Sequence, residues 1–176
     1  MAITWANILE WQTGPLDEIA QTLFEASQGL REAYEMGQDD LNAVRSEGEA
    51  VTAMRATTIT NLASLERALT NVNGALMAIE GARDGVATVM SLVNSTLAFA
   101  AENDCTIHPD GSITGEGTKN RRGEPSIALA KLGHMIKDAI TYADQVDTEL
   151  FHALQDINND RYTDGAGANN KVIGVP

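Results

Sequence analysis

Apolar and small residues recur along this chain three and four positions apart, the spacing of a helix face, and strand-like alternation is nearly absent. From Leu16 they fall at Ala20, Leu23, Ser27, Leu30, Tyr34, Gly37, Leu41 and Val44, a heptad seam. This predicts a helix over 16–46, closed by a turn at Ser46-Glu47-Gly48. The same spacing continues through Val51, Met54, Thr58, Leu62, Leu65, Leu69, Val72, Leu76, Ile79, Arg83, Val86, Met90, Val93, Leu97 and Ala100. It predicts a second helix over 49–103, roughly 75 Å along its seam. Gly81 and Gly85 mark where that helix is expected to bend. Arg83 places a charge on the seam, so it should meet an acid or sit at the bend.

Shorter elements flank these two. Thr4 is a plausible N-cap for a helix from Trp5 to Trp11, stopped by Gly14-Pro15. After Asn103-Asp104, the run Cys105 to Thr114 reads as two extended pieces around a Pro109-Asp110-Gly111 turn. Gly115 to Gly123 has no apolar member and reads as a mobile loop. Pro125 opens a third helix over 125–161 with its seam at Leu129, Leu132, Ile136, Ile140, Ala143, Val146, Leu150, Ala153 and Ile157. The residues 162–176 lose periodicity and read as a flexible tail or linker. The expected fold is all-α: one domain over 1–161, an antiparallel bundle of three long helices. A short N-terminal helix and a small hairpin-like loop before the last helix complete it.

Composition narrows the function. Twelve Lys plus Arg stand against 25 Asp plus Glu, a formal charge of -13. The only basic cluster is Lys119 with Arg121 and Arg122, so nucleic acid and anionic membrane surfaces are unsuited partners. Twenty-five alanines and 5% aromatic residues favour close-packed helices over sheets. No uninterrupted apolar run reaches about 18 residues, so no membrane span is expected. The N-terminus lacks a basic region followed by an apolar one, so no secretory signal peptide is expected.

Chemistry is sparse. His134 with Asp138 and His152 with Asp156 are i, i+4 pairs, more in keeping with exposed helix surface than with a metal or base. Asp156, Asn158, Asp160, Tyr162 and Asp164 alternate like the ligands of a calcium loop. Arg161 stands where that loop needs glycine, and Gly167 where it needs a bidentate acid. Cys105 follows Asp104 without a neighbouring cation to activate it. Met36, Met54, Met77, Met90 and Met135 lie within helices and read as core filler. With no nucleophile, phosphate-loop, dinucleotide or zinc pattern, the chain is expected to be no enzyme and to carry no cofactor or metal. Trp5 and Trp11 are costly to leave in water. They either close the end of the chain's own bundle or anchor a partner, and Trp11 is expected to be the buried one.

Two antiparallel helices joined by a tight turn, with a small-residue seam, resemble the WXG superfamily of type VII (ESX) secretion substrates. Ser46-Glu47-Gly48-Glu49-Ala50-Val51-Thr52-Ala53 fits the Trp-x-Gly turn of that family, with Gly48 and Ala50 matching and Ser46 in place of the tryptophan. Ile107-His-Pro-Asp-Gly-Ser-Ile113 is similar to a short piece that follows the hairpin in targeting regions of actinobacterial secreted proteins. The family's export signal, Tyr-x-x-x-Asp/Glu, is not matched, since Val146 follows Tyr142 and Ala166 follows Tyr162 at that spacing. The resemblance implies a protein-interaction module that is cytoplasmic before export and secreted or surface-located by a signal-peptide-independent route. Its partner would be a WXG-type helical hairpin or a secretion chaperone, with an export signal on that partner or beyond this chain. The tail from Gly165 would then link to an effector domain. The rival expectation is a standalone structural, adaptor or immunity-type helical bundle.

Overall fold

A computed structural model describes residues 3–159, so the expected tail over 162–176 and the last two residues of the helix expected over 125–161 lie outside the described residues. The all-α class holds. The elements are α1 (Trp5–Leu9), α2 (Gly14–Ala43), α3 (Glu49–Glu102), β1 (Thr106–Ile107), β2 (Ile113–Thr114) and α4 (Ile127–Asn158). The chain divides into two compact units, one of residues 3–17 with Gly81–Phe151, the other of Glu18–Glu80 with residues 152–159.

The first unit forms around α1. Thr4 caps it reciprocally: its backbone N–H donates to Asn7 Oδ1 at 3.0 Å, and its hydroxyl accepts the Asn7 N–H at 3.4 Å. Five residues cannot sustain a helix in water, so burial must supply the rest. Trp5 and Ile8, one turn apart, are 2% and 1% exposed among Val89, Val93, Ile136, Ala139 and Ala143. Trp11 is only half-buried against the same cluster, which reverses the expected order of the two tryptophans. The helix ends at Leu9 rather than Trp11, so Trp11 leaves the face that Trp5 and Ile8 share.

Helix α3 runs 54 residues, but its buried stripe in this unit is Ala82, Val86, Val89, Val93, Thr96 and Ala100. Ala82, Val89 and Thr96 thus take the places that the sequence pattern gave to Arg83, Met90 and Leu97. Small and β-branched residues allow α1 and α4 to lie close, while the bulkier neighbours sit at the margin. Arg83 meets acids there, with Asp17 at 3.7 Å and Asp84 at 3.0 Å. A Cβ built on Gly85 would lie 2.6 Å from Val146 Cγ2, so α3 and α4 touch where the side chain is missing.

α3 stops in a Schellman turn. Asp104 adopts φ 51°, and the Cys105 N–H donates to the Ala100 carbonyl at 2.9 Å. The predicted extended pieces pair as β1 and β2, with Ile107 opposite Ile113, and both isoleucines pack under the core. Residues 115–123 are not structureless. A 3-10 turn spans Glu116–Thr118, the Gly117 N–H donates to the Asp104 carbonyl at 3.2 Å, and Lys119 bridges Pro125. Backbone hydrogen bonds organise this loop in place of apolar residues. Ser126, not Pro125, caps α4 by accepting the Leu129 N–H at 3.0 Å.

The second unit is a helical hairpin. Ser27 Oγ donates to Asn73 Oδ1 at 2.6 Å, and Arg55 Nη2 to the Val44 carbonyl at 2.7 Å. Between those levels, a Cβ on Gly37 would lie 2.9 Å from Leu62 Cδ2. Residue numbers rise along α2 as they fall along α3, so the two helices are antiparallel. Ala20, Ser27, Leu62, Leu69 and Ile79 are buried. Met36, Met54 and Met77, expected as core filler, are instead 68%, 45% and 54% exposed. Met36 and Met77 lie off the seam. Helix α3 is long and apolar enough to cross a bilayer by composition, its most apolar 18 residues having mean hydropathy 1.2 with a third of them buried. Polar residues break every run, which is why uninterrupted stretches did not reveal it.

Gly85→Leu should drive α3 and α4 apart and cost about 1–3 kcal/mol, visible as a lowered Tm, with Val146→Ala restoring part of the loss. Leu69→Asp, at a 7% exposed position, is expected to cost about 3 kcal/mol or more, and Leu65→Asp, half-buried, less.

Candidate functional site

The turn tripeptide falls between α2 and α3, as the spacing predicts. Ser46, Gly48 and Ala50 are all exposed. Gly48 has φ 135°, a backbone that L side chains rarely adopt, and a Cβ there would meet nothing, so conformation rather than space selects glycine. Its carbonyl accepts the Thr52 N–H at 2.9 Å and starts α3. The turn is therefore a structural corner that presents Ser46 to solvent.

The two tryptophans separate. Trp5 is enclosed in its own unit's core and offers no surface to a partner, while Trp11 keeps part of its ring exposed. Trp5 Nε1 is buried without a hydrogen-bond partner among the described residues, so apolar contact with the core holds the indole there.

One concave surface lies within the hairpin unit. Tyr34, Gln38, Leu41 and Asn42 of α2 face Ile59, Leu62, Ala63 and Glu66 of α3 across a groove of about 440 Å³. The α2 residues recur at i, i+4, i+7 and i+8, and those of α3 at i, i+3, i+4 and i+7, so each set lies on one helix face. Ile59 is 56% exposed on the rim. Gln38 Nε2 donates to the Tyr34 hydroxyl at 2.9 Å, closing one wall. Glu66 Oε1 is buried and has no hydrogen-bond partner among the described residues, an unusual position for a carboxylate oxygen. On α2, Glu35, Asp39 and Asp40 are exposed and add negative charge. The groove was not among the sequence expectations. Its signal was a second stripe, Ile59, Ala63 and Glu66, one position beyond the seam residues Thr58, Leu62 and Leu65.

Elsewhere the structure brings little chemistry together. Among the described residues no group of three or more His, Cys, Asp or Glu is placed to hold a metal ion. His134 and Asp138 are both exposed, and Asp160, Tyr162 and Asp164 of the calcium-like run lie outside the described residues. Cys105 is buried with its Sγ 3.4 Å from the Asn103 carbonyl. His108 Nε2 lies 2.8 Å from Thr114 Oγ1 across the β-hairpin. In the turn of that hairpin, the Ser112 hydroxyl and N–H donate to Asp110 Oδ1 at 2.6 and 2.9 Å. The hydroxyl bond first, then the backbone bond, hold the Asp110 carboxyl below its ordinary value.

The chain matches no protein-family model, no curated protein and no solved structure.

Trp11→Phe, which leaves Trp5 as the sole indole, should emit further to the blue than Trp5→Phe, which leaves Trp11. Equal emission maxima would contradict the burial described. Because the folded pKa of Asp110 is lowered, its hydrogen bonds stabilise the turn above the ordinary carboxylate range and are lost as pH falls through the lowered value. An NMR titration should therefore find Asp110 below ordinary aspartates, and Ser112→Ala should raise it.

Proposed function

We propose that this protein is a non-enzymatic helical interaction module that works by docking a protein partner on its α2/α3 hairpin. One observation carries the reading: the hairpin leaves a groove with Ile59 on its rim, and Ile19, Phe24, Met36 and Met54 exposed besides. Scattered apolar residues are ordinary on a surface, but a concave apolar groove between two helices is a docking shape. Among the described residues, only residues 152–158 of α4 belong to this unit, about two turns against the roughly seven that α2 contributes to it.

In this reading the long helices form an antiparallel bundle in a single domain, with α4 covering part of α3. The burial of Val86, Val89, Val93 and Ala100 among protein side chains supports treating α3 as a core helix rather than a membrane span. The Ser46-x-Gly48 corner between two antiparallel helices supports the resemblance to type VII secretion substrates. A WXG-type hairpin or a secretion chaperone is then the fitting partner, with export independent of a signal peptide. The surface charge speaks against nucleic acid as partner. A standalone adaptor or immunity-type bundle is favoured by a different observation, the complete enclosure of Trp5 and Ile8 in their own core.

Immobilised full chain should retain a discrete host protein that the Met36→Glu/Ile59→Glu variant no longer retains. Both positions are exposed, so circular dichroism should show the variant folded. An identical retained set for both proteins would overturn the module reading.

A further inference from the structure

The loop between β2 and α4 carries a chemistry of its own, apart from the hairpin groove. Lys119, Arg121 and Arg122 stand there within four positions, in a chain whose formal charge is -13. Arg121-Arg122 is the one place in the sequence where two cations are adjacent. Residues 119–125 are all exposed, so no side chain of this run reaches into a core. Among the described residues, every other Lys or Arg lies within a helix except Arg45, in the turn between α2 and α3.

The bonds that shape the loop are local. Asn120 Oδ1 accepts the Arg122 N–H at 2.8 Å and the Glu124 N–H at 3.1 Å, and the Asn120 N–H donates to the Glu124 carbonyl at 2.8 Å. Gly123, at φ 78°, donates to the Asn120 carbonyl at 2.9 Å. Breaking these bonds uncovers no apolar surface, so the turn can open while the helices stay folded. Exposed polar loop tips of this kind are where chains are nicked.

We infer that this loop is a cleavage site for an endoprotease that recognises paired basic residues, cut between Arg122 and Gly123. Carboxylates in the protease's subsites pair with the two guanidinium groups. Water adds across the peptide bond: its oxygen joins the Arg122 carbonyl carbon as a carboxylate, and the Gly123 nitrogen leaves as an ammonium group with both protons. The cut does not release α4. Its buried residues Leu132, Ile136, Ala139, Ala143 and Val146 lie in the same compact unit as α3 from Gly81 onward. The product is a two-chain protein whose halves are held by that core, so its Tm becomes concentration-dependent.

The test treats the full chain with a subtilisin-type endoprotease specific for paired basic residues, read by intact mass. Fragments 1–122 and 123–176 should form, elute together on native size exclusion and separate in denaturant. Arg122→Gln, at an exposed position and so folded by circular dichroism, should abolish the cut. Asn120→Ala should speed it about fivefold in the chain but not in a free peptide spanning 117–126, because it populates the open loop. Relative to that peptide, the rate in the chain should change by less than about twofold up to about 1 M urea. Cleavage through global unfolding would instead rise about tenfold. A chain left intact while the free peptide is consumed, a first cut elsewhere, or a rate that climbs with urea would each overturn the assignment. Fragments that part on the native column would overturn the two-chain product.

Discussion

A helix of 54 residues sets the terms for everything else in this chain. Its apolar stripe is too long for any other element to cover, since α2 has 30 residues and α4 has 32. Isolated helices gain most of their stability from packing an amphipathic face, so each stretch of α3 must find a partner. In the first unit the solution is generous: α1, α4 and the β-hairpin loop all press on the stripe. Val89, Leu132, Ala139 and Ala143 have no exposure at all. In the second unit α2 is the main partner, and the cover is thin. Leu62, Leu69 and Ile79 are buried there, but Met54 and Ile59 are not.

The periodicity made the long helices legible because the heptad seam is continuous. Every seam residue from Leu16 to Val44 is at least half-buried. The bounds slipped by a few residues at the ends, where caps decide. Thr13 accepts two N–H groups and starts α2 earlier than the seam does, and Ser126 sets the start of α4. Alternate positions of the α3 stripe slipped by one, to Ala82, Val89 and Thr96, while Val86, Val93 and Ala100 stayed in place. Hydrophobicity ranks Met90 and Leu97 above Ala82 and Thr96, whereas close helix approach ranks small residues first. Thr96 is 1% exposed because its hydroxyl returns a hydrogen bond to the Leu92 carbonyl at 2.7 Å. Pattern finds the face of a helix but not the residue at its centre line.

The candidate site was less legible than the fold, and for a physical reason. A groove is a property of two helices at once, and its residues lie beside the seam rather than on it. Glu66 looks like any surface acid in the sequence, because only the packing of α2 against α3 buries one of its oxygens. The tryptophans left two readings open, the end of the chain's own bundle or a partner surface. The reciprocal Thr4–Asn7 cap turns a five-residue segment into a helix, and that helix delivers Trp5 into the core. The Ser46-Glu47-Gly48 corner was readable, since a positive φ leaves glycine as the residue of choice.

Acidity and the open hairpin belong to one device. Exposed Phe24, Met36, Met54 and Ile59 would invite self-association on a neutral protein. A formal charge of -13 opposes the approach of a second copy, so the apolar face can stay open in solution. The same field favours a cationic partner at long range, and salt screens it beyond about 10 Å at moderate ionic strength. At short range any selection passes to shape. Under the proposed docking, charge would therefore act first against a second copy and then for a basic partner.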